Sequence, residues 1–343
     1  MAGFFHNKKI LIIGGTGTIG QGLLKHILLE NPAVVRIFSR DEHKQFELQQ
    51  HMKDFTNIRY LIGDVRDSDR VLRAMRDIDY VFHVAAMKHV PFCEYNPFEA
   101  VQTNIIGTQN VIQASISAGV KKTIFTSTDK AIAPTNTYGA SKLMAERLIA
   151  SAQYNSGSHG TVFAAVRFGN VMGSRGSVIP LFINQIQKNR QISITDPTMT
   201  RFMMTQQQAT SLTIKAMELA NGGEIFVLKM PVLKLDDLAN AVIELAAPKF
   251  GIDPSEVQIK AIGLRTGEKM FEELMTEIEA KDAIEQEDMF VIVNPLLDKA
   301  TTHTLKKKAE PHSYSSHEQM PISKKEVISM VEEFLSDYTI YKG

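Results

Sequence analysis

The run Lys9 to Ile13 is short and apolar, and it passes directly into Gly14-Gly15-Thr16-Gly17-Thr18-Ile19-Gly20, after which a helical apolar pattern covers Leu23 to Leu29. Strand, glycine turn and helix in that order constrain the fold more than any other stretch of the chain. A helix that starts at the carboxyl end of a strand turns its unsatisfied amides and positive dipole end to the space above the sheet. Glycines at 14, 17 and 20 let a pyrophosphate reach those amides. The G-x-x-G-x-x-G spacing is a variant of the dinucleotide fingerprint, so nucleotide binding is expected, against the plainer reading of a glycine-rich connection.

The alternation continues with apolar, β-branched runs at Val34 to Phe38, Ile58 to Ile62, Tyr80 to Val84, Thr123 to Thr126 and Val162 to Arg167. Helical patterns separate them, including one long helix expected over Pro97 to Ala118 and another beginning near Thr137. This order predicts an α/β chain with a Rossmann-type, doubly wound parallel sheet over residues 1–168. Beyond Phe168 the pattern loosens, with an amphipathic stretch at Ile179 to Ile186, a helix over Gln206 to Leu219 and a strand at Ile225 to Leu228. A helix from Asp236 to Leu245, a strand over Val257 to Ile262 and a terminal helix from Lys325 to Leu335 follow, while His303 to His317 reads as irregular. Residues 169–343 are therefore expected to form a smaller C-terminal α/β substrate-binding lobe, with some segments returning to the first domain.

The 38 basic residues balance 38 acidic ones, so no global field draws the chain to nucleic acid or a membrane surface, and an anionic ligand must be met locally. Cys93 is the only cysteine, which excludes an internal disulfide and a cysteine metal cluster and fits a reducing cytoplasm. His312 and His317 lack further ligands at metal spacing, so no metal is expected. Nowhere do about 18 apolar residues run together, and Met1 to Lys9 lacks a signal-peptide core. A cytoplasmic, non-membrane protein is expected.

The second strand ends at Ser39 and Arg40, roughly twenty residues beyond the glycine loop, where an acid would hold the ribose diol of NAD and an arginine suits a 2′-phosphate. NADP is expected over NAD, with Asp41 next door as the argument for NAD. Asp64 is placed to accept from an adenine amino group, and Asp67 to cap the next helix. Ala85 and Ala86 are small enough for a cofactor to lie against the backbone, and Lys88 is expected to project into the cleft. Asn104 and Thr108 share a helical face.

Chemistry is expected at Ser127-Thr128-Asp129-Lys130 and at Tyr138 and Lys142, because the first group ends a strand at the sheet's carboxyl edge. Tyr138 and Lys142 are four apart on a helix, and an ammonium near a phenol favours phenolate. The same spacing is also common among solvated surface pairs. Arg175, Arg201 and Arg265 occupy three separate polar loops of the last third, and their convergence would build a bidentate phosphate site.

These residues resemble the extended short-chain dehydrogenase/reductase family, marked by the glycine loop, the Tyr-x-x-x-Lys pair and a preceding Ser or Thr. More narrowly, the chain is similar to the C5-inverting UDP-N-acetylglucosamine 4,6-dehydratases of bacterial surface-sugar pathways. The likeness is carried by Ser39-Arg40-Asp41-Glu42, Gly63-Asp64-Val65-Arg66-Asp67, Ala85-Ala86-Met87-Lys88-His89-Val90-Pro91 and Glu94-Tyr95-Asn96-Pro97. It continues through Thr103 to Thr108, Ser127 to Ala131, Gly169-Asn170-Val171, Gly173 to Pro180, Met199 to Phe202, Gly267-Glu268-Lys269 and Tyr314-Ser315-Ser316. Met87 departs from the more usual Leu, a volume-conserving change.

The resemblance implies a cofactor cradle of Gly14, Thr16, Gly17, Thr18, Ile19, Gly20, Ser39, Arg40, Lys44, Asp64, Val65, Ala85, Ala86, Lys88, Asn104, Tyr138 and Lys142. It implies UDP-N-acetylglucosamine as substrate, met by Lys88, Asn170, Arg175, Val178, Arg201, Arg265 and Glu268, and it implies a homo-oligomer. The informative position is Lys130. Many dehydratases that retain configuration at C5 resemble one another in having Asp-Glu after this strand, whereas Asp129-Lys130 marks the inverting group. Tyr138, kept acidic by Lys142 and assisted by Thr128, would take the C4 hydroxyl proton while NADP+ takes the hydride. Lys130 would then remove the C5 proton, and Asp129 would protonate the departing C6 hydroxyl. Hydride return to C6 gives UDP-2-acetamido-2,6-dideoxy-β-L-arabino-hex-4-ulose. A UDP-sugar C4 epimerase, a dehydratase that releases the 5,6-ene, and a non-catalytic cofactor sensor are the alternatives; Asp129 and Lys130 serve no purpose in an epimerase, and a sensor needs none of the five catalytic side chains.

Overall fold

The computed structural model describes residues 3–155, 160–174, 176–264, 267–294 and 307–340, and the side chains of all of these except residues 155 and 337–340. The chain divides into two compact units. The first comprises Met1–Phe168, Ala209–Lys229 and Thr276–His312, and the second Gly169–Gln208, Met230–Met275 and Ser313–Gly343.

In the first unit the elements alternate as β1 (Lys9–Ile13), α1 (Thr18–Leu28), β2 (Val34–Ser39), α2 (Glu42–His51), β3 (Ile58–Ile62), α3 (Ser68–Met75) and β4 (Tyr80–His83). Then come α4 (Val90–Tyr95), α5 (Pro97–Ala100), a π-helical turn Val101–Ile106, α6 (Gly107–Ser117), β5 (Lys122–Thr128), α7 (Thr137–Asn155) and β6 (Val162–Phe168). The sheet runs β3-β2-β1-β4-β5-β6, all parallel, and continues through the parallel strand Ile225–Leu228 to antiparallel strands Met289–Ile292 and Ala283–Glu285. Strands buried on both faces must be apolar throughout, which is why Ile10, Leu11, Ile12 and Ile13 are all at most 1% exposed. Leu11 and Ile13 pack with Val71, Met75, Val81 and Val111, so α3 and α6 close that face. Truncating one such residue to Ala costs about 2–5 kcal/mol. The strand order reverses between β1 and β4, and the crevice at that switch point opens at the carboxyl ends.

The expected single helix over Pro97 to Ala118 is interrupted. Six residues, Val101–Ile106, adopt π-helical bonding between α5 and α6, and such bulges recur where a side chain must be re-aimed. The expected irregular stretch from His303 to His317 lies partly outside the described residues, and within it Tyr314–Ser315 forms a short strand.

The second unit packs helices Val178–Asn189, Leu235–Ala246 and Lys324–Ile340 around Ile192 and Ile194 of strand Gln191–Ile194. That strand pairs in parallel with Gln258–Ala261. A three-stranded sheet orders Val232–Lys234, Thr200–Met204 and Asn170–Val171, and Glu273–Met275 pairs with Tyr314–Ser315. Among the described residues no helix is long and apolar enough to cross a membrane.

Candidate functional site

The glycine loop is built so that side chains are excluded. Gly14 has φ +87°, and a Cβ there would lie 2.7 Å from the Ala85 backbone nitrogen, so the loop after β4 presses directly on it. At Gly20 a Cβ would lie 2.6 Å from the Gly14 carbonyl oxygen, which is what lets α1 start so close to the turn. At Gly17, the N-cap of α1, the sole close neighbour of a Cβ is the Gly14 oxygen at 3.3 Å. The position is walled by backbone on one side only, and Thr18 and Ile19 follow in the first turn. Cradle and helix terminus fit a pyrophosphate.

At the end of β2, Ser39 is half-buried and Arg40 exposed, with its guanidinium 3.9 Å from Asp64. Asp41 accepts from the Lys44 amide as the α2 N-cap and pairs with the Lys44 ammonium, so both its oxygens are engaged. Asp64 is held by the Arg66 backbone amide at 3.0 Å and by its guanidinium at 2.7 and 3.0 Å. Asp67 caps α3 through the Arg70 amide, as expected. Gln45, nearly buried, donates to the Ser39 and Leu61 carbonyls and ties the carboxyl ends of β2 and β3. Val65 is buried, while Lys88 is exposed.

The π turn aims Asn104 inward, where it is 1% exposed. Its carboxamide accepts from the Met87 amide at 2.8 Å and donates to the Met87 carbonyl at 3.0 Å, pinning the loop after β4. It also donates to the Ser141 hydroxyl at 2.9 Å, which in turn donates to the Tyr138 carbonyl. Asn104 thus fixes the first turn of α7, and Tyr138 packs with Cys93 and Ala100.

Thr128, Asp129 and Lys130 form one connected hydrogen-bond network, and the Tyr138 phenol lies within electrostatic reach of it. Thr128 donates to Asp129 at 2.8 Å, and the Lys130 ammonium donates to the two Asp129 oxygens at 2.9 and 3.2 Å. Asp129 is buried, and the Lys130 side chain is about a third exposed, at 32%. Burial pushes the Tyr138 phenol up to about 12, opposed by the charge of Lys130 and the Thr128 side chain.

One expectation about a lysine needs correcting. Lys142 was expected to acidify Tyr138 through their i,i+4 spacing, yet its ammonium donates to the Thr126 carbonyl at 2.6 Å and lies 3.9 Å from the Phe125 ring centroid. The cation that opposes the rise in the phenol is Lys130. Spacing put the two residues on one face, but the Lys142 side chain turns to the end of β5. Burial lowers Lys142 to about 7, with Glu146 pulling the other way.

In the second unit Asn170 donates to the Phe202 carbonyl and to both oxygens of Glu272. Arg201 is directed along its own strand and the neighbouring turn, donating to the Thr200 and Lys269 carbonyls and pairing with Glu272 and Glu268 at 3.4 and 3.6 Å. Glu268 also accepts from Thr195 at 3.2 Å, and Val178 opens the helix Val178–Asn189. Arg175 and Arg265 lie outside the described residues. Arg201 is thus placed as a clamp on residues 268–272.

Sequence reasoning passed over Glu272, buried at the centre of that clamp, although it stands three residues beyond the Glu-Lys turn. It also passed over Gly139, whose Cβ would lie 2.0 Å from the Lys130 carbonyl oxygen. Glu146, Arg167 and Glu279 went unnoticed too, yet Glu146 continues the series Tyr138, Lys142 at the same four-residue interval. Among the described residues no group of His, Cys, Asp and Glu side chains is arranged to hold a metal.

Residues 10–294 match the family described as polysaccharide biosynthesis protein. An uncharacterized membrane protein of Methanocaldococcus jannaschii is 51% identical over 85% of this chain and 87% of its own. A UDP-N-acetylglucosamine 4,6-dehydratase (inverting) of Campylobacter jejuni is 45% identical over 84% and 83%. A UDP-glucose 4-epimerase of Rickettsia bellii is 44% identical over 81% of each. Among solved structures, Pen from Bacillus thuringiensis superposes with a TM-score of 0.90 at 57% identity, covering 96% of this chain and 99% of that one. DesIV, a dTDP-glucose 4,6-dehydratase of Streptomyces venezuelae solved with NAD, shares the fold at 21% identity, with a TM-score of 0.67 over 76% and 86%.

Proposed function

The chain belongs to the polysaccharide biosynthesis protein family, and from that premise we propose that it is a UDP-N-acetylglucosamine 4,6-dehydratase that inverts C5. The reading draws on the name of the Campylobacter relative. The observation that carries it is the Asp129–Lys130 ion pair, its carboxylate buried and bonded to Thr128, within electrostatic reach of Tyr138. Epimerisation at C4 needs one proton acceptor and no second acid or base, so the Rickettsia name alone leaves this pair without a use.

A nicotinamide cofactor, when bound, supplies the hydride acceptor at C4 and the hydride donor at C6. The chain's own residues handle the protons. Tyr138 accepts the C4 hydroxyl proton in its phenolate form, which the charge of Lys130 favours against the push of burial. Elimination then needs a neutral amine and a protonated carboxyl side by side. The resting ion pair holds the right number of protons for both: moving one across the 2.9 Å bond from Lys130 to Asp129 leaves an amine and an acid. Lys130 removes the C5 proton, Asp129 gives its proton to the leaving C6 hydroxyl as water departs, and the pair is again ammonium and carboxylate. Inversion requires the C5 proton to return on the opposite face.

For the cofactor, NADP is the proposed form. Asp41, the acid that could hold a ribose diol, is spent on the α2 cap and Lys44, while Arg40 stands exposed beside it. The glycine loop, Asp64, Val65, Ala85, Ala86, Asn104 and Lys142 line the same proposed cleft, and Lys88, Asn170, Val178, Arg201 and Glu268 remain the proposed sugar-nucleotide contacts. A cytoplasmic homo-oligomer is part of the proposal, to be checked by light scattering and cell fractionation.

The test is proton NMR of the purified protein with UDP-N-acetylglucosamine in deuterated buffer, beside Lys130→Ala. A C6 methyl signal, deuterium at C5 and L-ring couplings are expected, and the variant should form no such product. An enone signal would mean release before hydride return. UDP-N-acetylgalactosamine formed equally by both proteins would overturn the dehydratase and leave the epimerase.

A further inference from the structure

Beneath Lys142 lies a set of ionised groups that the chemistry above does not use. Arg167 on β6 is fully buried and donates to both oxygens of Glu146 on α7, at 2.6 and 3.2 Å, and to both oxygens of Glu279, at 3.0 and 3.1 Å. Glu146 is itself 0% exposed. Glu279 is held from the other side by the Thr276 amide and hydroxyl, in a capping box that opens helix Glu277–Ala280.

Two carboxylates around one guanidinium leave a surplus negative charge; Arg167 and Glu146 are fully buried and the Glu279 side chain is only 13% exposed, so little solvent screens it, and such a surplus is unfavourable unless a further cation meets it. Lys142 lies one helical turn before Glu146 on the same face of α7, is 3% exposed, and feels Glu146 electrostatically. The four groups together are neutral. We propose that Glu146, clamped by Arg167 and Glu279, is a positioning residue that keeps the buried Lys142 ammonium charged and so sets the pH range in which Lys142 serves the proposed cofactor cleft.

The other groups around Lys142 are accounted for. On β4, His83 is fully buried and lowered to about 3, so it is neutral across the working range. On β5 the Thr126 carbonyl accepts from the ammonium and Phe125 offers its ring. Asp129 and Lys130 cancel one another, and Tyr138 and the Cys93 thiol, both pushed up by burial, are uncharged. Glu146 is therefore the net charge to which Lys142 responds, opposing the burial that lowers it to about 7.

This inference rests on the proposed place of Lys142 in the cofactor cleft but not on the identity of the sugar, so the primary measurement uses neither substrate nor turnover. Lysine labelled with carbon-13 at Cε is titrated by NMR in the full-length protein, with the Lys142 signal assigned by Lys142→Arg. In Glu146→Gln the Lys142 midpoint is expected to fall by about one pH unit, a tenfold loss of proton affinity, and to return in Glu146→Asp. Glu279→Gln is expected to shift it in the same direction by less, and it serves if Glu146→Gln does not fold. With UDP-N-acetylglucosamine the alkaline limb of kcat should follow the NMR midpoint. An unmoved midpoint in a variant that merely melts earlier would show the cluster to be structural and overturn the proposal. So would a midpoint that moves while the limb stays. A wild-type protein inert towards UDP-N-acetylglucosamine would sink the dehydratase reading and leave the titration to decide this one.

Discussion

Replacing Gly139 by alanine sets two physical effects of opposite sign against each other. In an ordinary helix the change is favourable by about 1 kcal/mol, because alanine has less backbone freedom to lose. Gly139 lies in the first turn of α7, and its amide is capped by the Asn136 side chain at 2.8 Å. A Cβ there would stand 2.0 Å from the Lys130 carbonyl oxygen and 3.0 Å from the Pro134 side chain. The oxygen is backbone and cannot swing aside, so α7 and the turn carrying Lys130 must separate by about 1 Å or more. Overpacking of that kind costs about 1–3 kcal/mol, which leaves a net loss of about 1–2 kcal/mol once helix propensity is subtracted. The same displacement pulls Tyr138 from Thr128, and about 1 Å of misplacement costs about a hundredfold in rate. Urea unfolding and steady-state turnover read the two effects separately. If Gly139→Ala is as stable as the parent and turns over within about threefold of it, the close approach is not what holds Tyr138 and Lys130 in register.

Asp129→Asn keeps the shape but removes the acid and the partner of Lys130; turnover should fall by about 100- to 10,000-fold. Because the Lys130 ammonium is a third exposed and can rehydrate, stability should change little, and turnover within tenfold of the parent would refute the acid role. His83 is lowered to about 3 against an unfolded value of 6.5, so the unfolded chain binds the extra proton between these values. Its contribution is present above pH 6.5 and lost as pH falls towards about 3, at up to about 1.4 kcal/mol per pH unit. His83→Leu should flatten the acid side of a plot of urea midpoint against pH, and an unchanged slope would exclude His83 as its source. Arg40→Ser should weaken NADP+ by about tenfold or more relative to NAD+ in calorimetric titration, and an unaltered ratio would remove the basis for NADP.

The parts of the fold legible in the linear chain are those governed by neighbours a few residues apart. β1, β2, β3 and β6 fall within a residue of the expected runs because apolar and β-branched residues mark a strand locally, both in β1, buried on both faces, and in the edge strand β3. Gly14, Gly17 and Gly20 marked the cradle because a Cβ there meets backbone from the same turn or from the β4 loop it opens onto. The π turn was not legible, since Val101–Ile106 reads as good helix on either bonding pattern. What selects the longer turn is Asn104 reaching Met87 and Ser141, 17 and 37 residues away.

The candidate site divides the same way. Local spacing alone brought Thr128, Asp129, Lys130, Tyr138 and Lys142 to one edge of the sheet, and identity at Lys130 separated one chemistry from its neighbours. Spacing could not say which cation serves which group. Lys142 is four residues from Tyr138 yet bonds the end of β5, while the charge that opposes the rise in the phenol is that of Lys130. Arg167 reaches Glu146 across 21 residues and Glu279 across 112, and only the folded chain brings these charges together with little solvent between them. Periodicity and glycine spacing act through sterics and backbone hydrogen bonds within a turn or two, so the sequence determined them. Charge state and side-chain direction depend on what burial removes and which distant group replaces water, so the tertiary structure decided them.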